Sequence, residues 1–207
     1  MVFDTGPLLV TLERSRQLGF LGPGPVRDHV DHAEAFLLAI GCAPPERLID
    51  LGSGGGVPGL ILAVAWPLVP VVLVDSSERR TSFLAEALRD LGLIHARVIR
   101  ERAETLGRDH AWRGWADVVV ARSFGSPAST AECGAPLLGV GGRLIVSEPP
   151  DGLGRERWPD DGLALLGLGR AERVEGAARR VQVLRQQHPC SDRFARRPGV
   201  PTKRPLF

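Results

Sequence analysis

The sequence has three cysteines and one lysine, and each shortage limits the kinds of site that the chain can form. Cys42, Cys133 and Cys190 are odd in number, far apart and in no C-x-x-C pair, which argues against a disulfide framework and against a zinc site. We therefore expect a reducing, cytoplasmic environment. Lys203 is the single lysine among 26 basic residues. The others are arginines, whose guanidinium groups are suited to bidentate phosphate contacts.

Neither sign of charge dominates, because 26 basic residues face 24 acidic ones and leave a net charge of +2. The total charge therefore does not indicate a nucleic acid or a membrane. Residues 57–74 carry no charge and are numerous enough to span a bilayer. Pro58, Pro67 and Pro70 interrupt this run, so we predict a buried helix and then a buried strand. Residues 1–4 lack the basic and apolar pattern of a secretory signal.

Short apolar runs alternate with helical patterns between residues 47 and 146, which is typical of β-α-β units in a parallel sheet. Nearly continuous apolar sequence indicates strands that are covered on both faces. The predicted strands are residues 48–51, 71–74, 96–99, 117–121 and 143–146, and the predicted helices are residues 30–40, 60–65, 79–91 and 126–138. We expect glycines at 139, 141 and 142 to stop the last helix, and Ser77 to cap the helix that precedes Gly92.

The sequence changes character after Pro149 and Pro150. Residues 149–169 are rich in proline, glycine and aspartate, so we expect a long excursion over the surface. Residues 170–175 and 179–185 predict an antiparallel hairpin at the sheet edge. The sequence thus predicts an α/β fold with a mostly parallel seven-stranded sheet. It divides into a helical part (1–45), a sheet-containing core (46–190) and an irregular basic tail (191–207).

A glycine-rich loop, D-L-G-S-G-G-G-V-P-G at residues 50–59, follows the first predicted strand and precedes a helix. Glycines there permit positive φ and let a ligand touch the backbone. Pro58 suits the first turn of the helix. Gly54, Gly56 and Gly59 match the G-x-G-x-x-G fingerprint of dinucleotide-binding proteins. The same loop has the acidic-G-x-G-x-G form of proteins that bind S-adenosylmethionine.

Two carboxylates favour S-adenosylmethionine over a dinucleotide. Asp50 lies two residues before Gly52, where it would disfavour a pyrophosphate and suit the cationic amino group of S-adenosylmethionine. Asp75 ends the second predicted strand and could accept hydrogen bonds from both ribose hydroxyls. It could also be an acid that simply favours a helix start through the helix dipole.

Five stretches of the chain resemble the bacterial 16S ribosomal RNA methyltransferase G family, also called the glucose-inhibited division protein B family. They are I-D-L-G-S-G-G-G-V-P-G at residues 49–59, V-D-S at 74–76, R-A-E at 102–104, A-R-S-F at 121–124 and G-G-R-L at 141–144. R-R-P-G-V-P at residues 196–201 resembles the C-terminus of some members. The resemblance implies a Rossmann-like class I methyltransferase with S-adenosylmethionine as cofactor.

The resemblance also implies roles for single residues. Gly52 and Val57 would line the cofactor, Ala103 and Glu104 would lie beside its adenine, and Arg122 would stand at the mouth of the site. Arg122 follows the fourth strand, where ligands bind in open parallel sheets, and it is the predicted catalytic residue. The full predicted cofactor set is Asp50, Gly52, Gly54, Gly56, Val57, Asp75, Ala103, Glu104 and Arg122.

The family reaction is methylation of N7 of a guanine in 16S ribosomal RNA. N7 carries a lone pair and no proton, so the reaction needs alignment more than a general base. The expected partner is 16S ribosomal RNA or the small ribosomal subunit, bound by a monomer. From residue 193 onward the chain has five basic residues and no acid, and these are the predicted RNA contacts: Arg193, Arg196, Arg197, Lys203 and Arg204.

Departures from the family pattern leave alternatives open. Residues 17–24 lack the family's tryptophan-asparagine and asparagine-leucine-threonine elements, and residues 147–149 replace a lysine that members commonly carry. A methyltransferase with another acceptor, or a non-catalytic paralogue that binds S-adenosylmethionine, is therefore the alternative. A nicotinamide-dependent oxidoreductase comes third. His29 and His32 can share a helix face, but no third ligand is evident, so we expect no metal.

Overall fold

A computed structural model describes residues 6–149, 154–176 and 179–207 and contains one seven-stranded sheet. The strands are β1 (Leu48–Leu51), β2 (Val71–Asp75), β3 (Ala96–Arg100), β4 (Ala116–Ala121), β5 (Leu138–Ser147), β6 (Glu172–Glu175) and β7 (Arg180–Arg185). Their order is β3-β2-β1-β4-β5-β7-β6. The first five strands run parallel, and β7 is antiparallel to both β5 and β6. The predicted mixed sheet with its antiparallel hairpin is confirmed.

The helices of the described residues cover both faces of this sheet. They are α1 (Gly6–Gln17), α2 (Val26–Ile40), α3 (Gly59–Ala65), α4 (Glu78–Asp90), α5 (Ala103–Leu106), α6 (Pro127–Gly134), α7 (Asp160–Ala164) and α8 (Val200–Lys203). Helices α1 to α4 pack on one face, and α5 to α7 pack on the other. None of them has the length and apolar content of a membrane span within the described part of the chain.

The central strands are buried on both faces, as their apolar sequences predict. All residues of β1 and β2 are buried. Because side chains alternate along a strand, Leu48 packs with α1 to α4, whereas Ile49 and Leu51 pack with α5 to α7. Asp50 shares the face of Leu48. This alternation decides on which side of the sheet each functional residue lies.

The predicted C-terminal end of α6 differs from the structure, and the predicted cap of α4 lacks its side-chain hydrogen bond. Helix α6 begins after Ser126, whose side chain accepts a hydrogen bond from the Ser129 N–H, but it ends at Gly134. Three glycines predicted to stop it lie inside β5 instead. Gly142 is required in this strand, because a Cβ there would lie 2.9 Å from the Gly139 carbonyl oxygen. Ser77 occupies the N-cap position of α4 but makes no side-chain cap hydrogen bond.

The stretch predicted as a surface excursion, residues 149–169, is partly buried. Trp158 is 1% exposed, and its Nε1–H donates to Glu148 Oε1 at 2.7 Å. Leu163 and Leu166 are also buried. These apolar side chains cover the face of the sheet near β5, so the prediction was wrong for this part. Residues 150–153 lie outside the described residues, as do residues 177–178.

The C-terminal segment, residues 191–207, packs against the sheet domain instead of forming an irregular tail throughout. Phe194 and Ala195 are buried. The Arg113 guanidinium donates to the carbonyl oxygens of Cys190, at 2.7 Å, and Phe194, at 2.6 Å. These bonds fix the start of the segment, and the short helix α8 follows.

Candidate cofactor site

The glycine loop after β1 is tied to the end of β2 by backbone hydrogen bonds. The Gly52 N–H donates to the Val74 carbonyl oxygen at 2.8 Å, and the Gly54 N–H donates to Asp75 Oδ2 at 3.0 Å. Gly52 has φ +73°, and a Cβ there would lie 2.5 Å from the Phe124 ring. Because only glycine fits this position, the loop presents backbone to the space beyond the strand ends.

Asp75 closes β2 with a side chain that is 6% exposed. Its Oδ1 accepts from the Ser77 N–H at 2.8 Å, and its Oδ2 accepts from Gly54 and lies 3.7 Å from the Arg80 guanidinium. These contacts fix the orientation of the carboxylate. A carboxylate has about four acceptor positions, so Asp75 keeps capacity for hydroxyl donors from a ligand.

A cavity of about 250 Å³ lies at the carboxyl ends of the parallel strands. Four of the predicted cofactor residues line it together, namely Gly52, Asp75, Ala103 and Glu104. This is the edge of an open parallel sheet at which ligands bind. Its wall also contains residues that were not predicted for this role: Arg80, Ser123, Ser129, Cys133 and Thr202.

Three other predicted cofactor residues support the loop without lining the cavity. Gly54 donates its N–H to Asp75. Gly56 donates its N–H to the Ser53 carbonyl oxygen at 2.8 Å. Val57 is 3% exposed and packs in the apolar layer beside α1 to α4. These residues shape the loop, and the cavity surface comes from their neighbours.

Asp50 lies behind the loop, on the face of the sheet away from the cavity. Its side chain is buried, and its Oδ2 accepts from the Gly59 N–H at 3.0 Å, where α3 begins. Gly59 is required there because a Cβ would lie 2.3 Å from Oδ2. Burial raises the pKa of Asp50 to about 7, although the hydrogen bonds and the Arg122 charge act in the opposite direction. Asp50 is therefore placed to hold the loop and α3 together.

Glu104 joins the cavity wall to the C-terminal segment. Its Oε1 accepts from the Gly199 N–H at 2.8 Å and from Arg102 Nη2 at 3.1 Å. Burial by itself would raise the pKa of Glu104, but these hydrogen bonds outweigh it, so the pKa lies below the usual value. The group is an acceptor that is already engaged on one oxygen.

Arg122 lies on the same face of the sheet as Asp50 and points toward the N-terminal helices. Its Nη1 lies 3.1 Å from His29 Nδ1, and His29 Nε2 lies 3.2 Å from the Gly22 carbonyl oxygen. A guanidinium only donates, so Nδ1 accepts and the Nε2–H donates to Gly22. Burial and the Arg122 charge lower the pKa of His29. Arg122 does not line the cavity, but the next residue, Ser123, does.

His32 does not complete a metal site with His29. Within the described residues, no group of three or more histidine, cysteine, aspartate or glutamate side chains could hold a metal ion. His32 Nε2 is buried and has no hydrogen-bond partner among those residues. Burial lowers the pKa of His32 to about 4, and the charges of Arg122, Arg179 and His29 act in the same direction. His32 is therefore neutral at pH 7.

This depressed pKa predicts a loss of stability in acid. An unfolded histidine titrates near pH 6.5, so below that pH the unfolded state binds a proton that the folded state resists. The stabilising effect is complete above pH 6.5 and disappears as the pH falls toward about 4. Allowing for partial exposure of the ring, we expect a loss of about 1–2 kcal/mol.

Urea unfolding between pH 7 and pH 4 measures this effect. The variant His32→Gln should show a shallower fall in unfolding free energy than the parent protein. His188→Gln is the control, since His188 is exposed and its hydrogen bonds in the described structure come from its backbone N–H and carbonyl oxygen. Equal pH slopes for His32→Gln and the parent would contradict the prediction.

The predicted RNA contacts fall into two groups. Arg193, Arg197, Lys203 and Arg204 are exposed. Arg196 instead donates from its backbone N–H, Nε and Nη2 to the buried Glu132 carboxylate, at 2.9, 2.7 and 2.6 Å. Arg196 thus anchors the C-terminal segment to α6, and four cations remain on the surface of that segment.

The cavity suits an adenosyl cofactor better than a dinucleotide. Asp75 offers acceptors for ribose hydroxyls beside a loop of bare backbone. A pyrophosphate would need free N–H donors at this loop and no nearby anion. The Gly54 N–H is already bonded to the Asp75 carboxylate, so this donor is engaged and an anion lies beside it. S-adenosylmethionine has no phosphate, so neither the engaged N–H nor the neighbouring carboxylate disfavours its binding.

Comparisons with known proteins agree with this interpretation. The family model of rRNA small subunit methyltransferase G matches residues 30–148. A ribosomal RNA small subunit methyltransferase G from Moorella thermoacetica is 32% identical, over 87% of this chain and 78% of that protein. Its counterpart from Pelotomaculum thermopropionicum is 35% identical, over 94% of this chain and 86% of that protein.

Solved structures show the same fold at lower identity. A SAM-dependent O-methyltransferase from Thermotoga maritima has a TM-score of 0.59 and 14% identity, and the match covers 87% of this chain and 72% of that one. The family model covers more than half of the chain, and both relatives exceed 30% identity over most of it. The chain therefore belongs to the rRNA small subunit methyltransferase G family.

Proposed function

We propose that this protein transfers the methyl group of S-adenosylmethionine to N7 of a guanine in 16S ribosomal RNA. The observation that carries the proposal is the cavity between the Gly52 backbone and the Asp75 carboxylate, in a chain of this family. S-adenosylmethionine is the cofactor, and when bound it supplies an electrophilic methyl group on a sulfonium.

The chain's own residues bind and orient the cofactor. Asp75 would accept from the ribose hydroxyls, and Gly52 would allow close approach to the backbone. Ala103 and Glu104, which line the same cavity, would lie on the adenine side. Guanine N7 has no proton to remove, so alignment and exclusion of water suffice for transfer and no catalytic base is required.

Arg122 is our candidate for the group that orients the RNA acceptor. It directly follows β4 and precedes the cavity-lining Ser123, and its bond to His29 restricts its side chain. Burial lowers the pKa of Arg122, yet an arginine stays charged at neutral pH. A fixed guanidinium at this position could hold a phosphate or a base oxygen of the splayed nucleotide.

The exposed cations of the C-terminal segment would hold the flanking phosphates. Arg193, Arg197, Lys203 and Arg204 carry this part of the proposal, and binding should weaken as salt rises. Residues 46–190 would then act as the cofactor-binding core, residues 1–45 as a helical part packed on it, and residues 191–207 as an RNA-contacting part. We further propose that the protein acts in the cytoplasm as a monomer.

Methyl transfer to ribosomal RNA tests the proposal. Purified protein, labelled S-adenosylmethionine and small subunits that lack the modification should give labelled 16S ribosomal RNA. Chain cleavage at 7-methylguanine should then map the label to one guanine. Cofactor binding without incorporation into naked 16S RNA or any subunit substrate would refute the proposal.

A different acceptor is the second candidate, and Glu148 favours it. Members of the family commonly carry a lysine near this position, whereas Glu148 is 5% exposed and accepts hydrogen bonds from Trp158 and Arg157. A carboxylate in this buried network cannot contact RNA phosphate as a lysine would. If subunits fail as acceptors, incubation with transfer RNA and small-molecule nucleophiles would separate another acceptor from a non-catalytic paralogue.

A further inference from the structure

The C-terminal segment is hydrogen-bonded to both helices that form the far wall of the cofactor cavity. The Gly199 N–H donates to Glu104 of α5 at 2.8 Å. The Ser129 hydroxyl of α6 donates to the Pro201 carbonyl oxygen at 3.0 Å. The next residue, Thr202, lines the cavity itself. The segment is therefore part of the cavity wall.

The anchoring of this segment is strong for a short helix and its flanking loop. The Glu132 carboxylate is fully buried and takes three hydrogen bonds from Arg196, whose side chain is 26% exposed. Charge-assisted pairs of this geometry are stronger and more directional than neutral hydrogen bonds. Arg113 holds the start of the segment through the Cys190 and Phe194 carbonyl oxygens. Arg196 Nη2 also donates to the Arg204 carbonyl oxygen at 2.7 Å, so contacts on both sides of Thr202 set its position.

The same segment carries cations on its outer side. Arg197, Lys203 and Arg204 are exposed, and Lys203 and Arg204 immediately follow Thr202. A phosphate backbone bound to these cations would favour the docked position of the segment. Binding that favours the docked position also favours a complete cavity wall, because Thr202 lines the cavity only when the segment is docked.

We propose that the C-terminal segment closes the cofactor site through Thr202 and thereby couples RNA binding to cofactor binding. This inference rests on the proposed function for its RNA part. Coupling of this kind is reciprocal, so RNA should tighten cofactor binding by the factor by which cofactor tightens RNA binding. Thr202 would contact the bound cofactor directly.

Calorimetry with S-adenosylhomocysteine tests the role of Thr202. Thr202 is exposed, so Thr202→Trp should leave the melting temperature unchanged while its ring occupies the cavity. We expect binding to weaken by about tenfold or more, which is about 1.4 kcal/mol. Ser191→Trp is the matched control, because it puts the same ring on an exposed position of the segment away from the cavity. Unchanged affinity in Thr202→Trp would overturn the closure.

The coupling is tested by repeating the titration with a saturating 16S RNA fragment. We expect the affinity for S-adenosylhomocysteine to rise by about fivefold or more. The paired substitution Lys203→Ala and Arg204→Ala should reduce this gain. RNA that binds without altering the cofactor affinity would overturn the coupling alone. If no 16S fragment binds, the proposed function fails with it, whereas the Thr202 result stands by itself.

Discussion

Asp75→Ala is expected to weaken S-adenosylmethionine binding by about 100-fold. The ribose hydroxyls would lose their charged acceptor, and a hydrogen bond to a charged group contributes about 1.5–3 kcal/mol. The substitution would also release the Gly54 and Ser77 N–H groups that Asp75 now holds at 3.0 and 2.8 Å. Part of the loss therefore comes from a less ordered loop.

Isothermal titration measures this loss, and two further variants interpret it. Asp75→Asn keeps one acceptor oxygen and should fall between the parent and the alanine variant. Glu78→Gln is the control, since Glu78 is an exposed acid on the same turn of the chain that pairs only with the exposed Arg100 in the described structure. Affinity in Asp75→Ala equal to that of the control would contradict the assignment of Asp75 to the cofactor.

Glu132→Ala is expected to lower the unfolding free energy by about 3 kcal/mol. Removal of one member of a buried ion pair typically costs about 3–5 kcal/mol, because the partner is left without compensation. The lower end applies here because Arg196 is 26% exposed and water can solvate it partly. The variant should also weaken cofactor binding, since the C-terminal segment loses its main anchor.

Denaturant unfolding measures the stability change, and an exposed pair provides the comparison. Glu13 and Arg16 form a hydrogen-bonded ion pair on α1, with side chains that are 40% and 43% exposed. Glu13→Ala removes the same chemistry from that pair and should leave the unfolding midpoint unchanged within error. If Glu132→Ala loses no more stability than Glu13→Ala, the buried pair does not stabilise the docking of the C-terminal segment.

The sheet could be predicted from the sequence because its strands are apolar on both faces. Residues 48–51 and 71–74 read as strands from composition alone, and the observed limits differ by at most one residue. The start of β5 could not be found this way. Its glycines resemble a helix stop, and their close backbone contacts, such as Gly142 beside Gly139, exist only in the folded sheet.

Two cavity residues could be located because they lie at strand ends, since Gly52 follows β1 and Asp75 closes β2. Ala103 and Glu104 were predicted from the resemblance to the family. Strand alternation would have placed Asp50 correctly too, since Ile49 and Leu51 face the cavity side and Asp50 must face the other. Thr202 gave no local signal, because only tertiary contacts bring it to the cavity. Trp158 was missed for a similar reason, as it is an isolated apolar residue among proline and glycine.

The bonds that hold the C-terminal segment join residues far apart in the chain. Gly199 meets Glu104 across 95 positions, and Arg196 meets Glu132 across 64. During translation the strands and helices before them emerge first, while these contacts must wait until residues 196 and 199 leave the exit tunnel. The cavity wall is therefore assembled from residues that are synthesised at widely separated times, and a chain that has not yet reached residue 199 lacks the contact to Glu104.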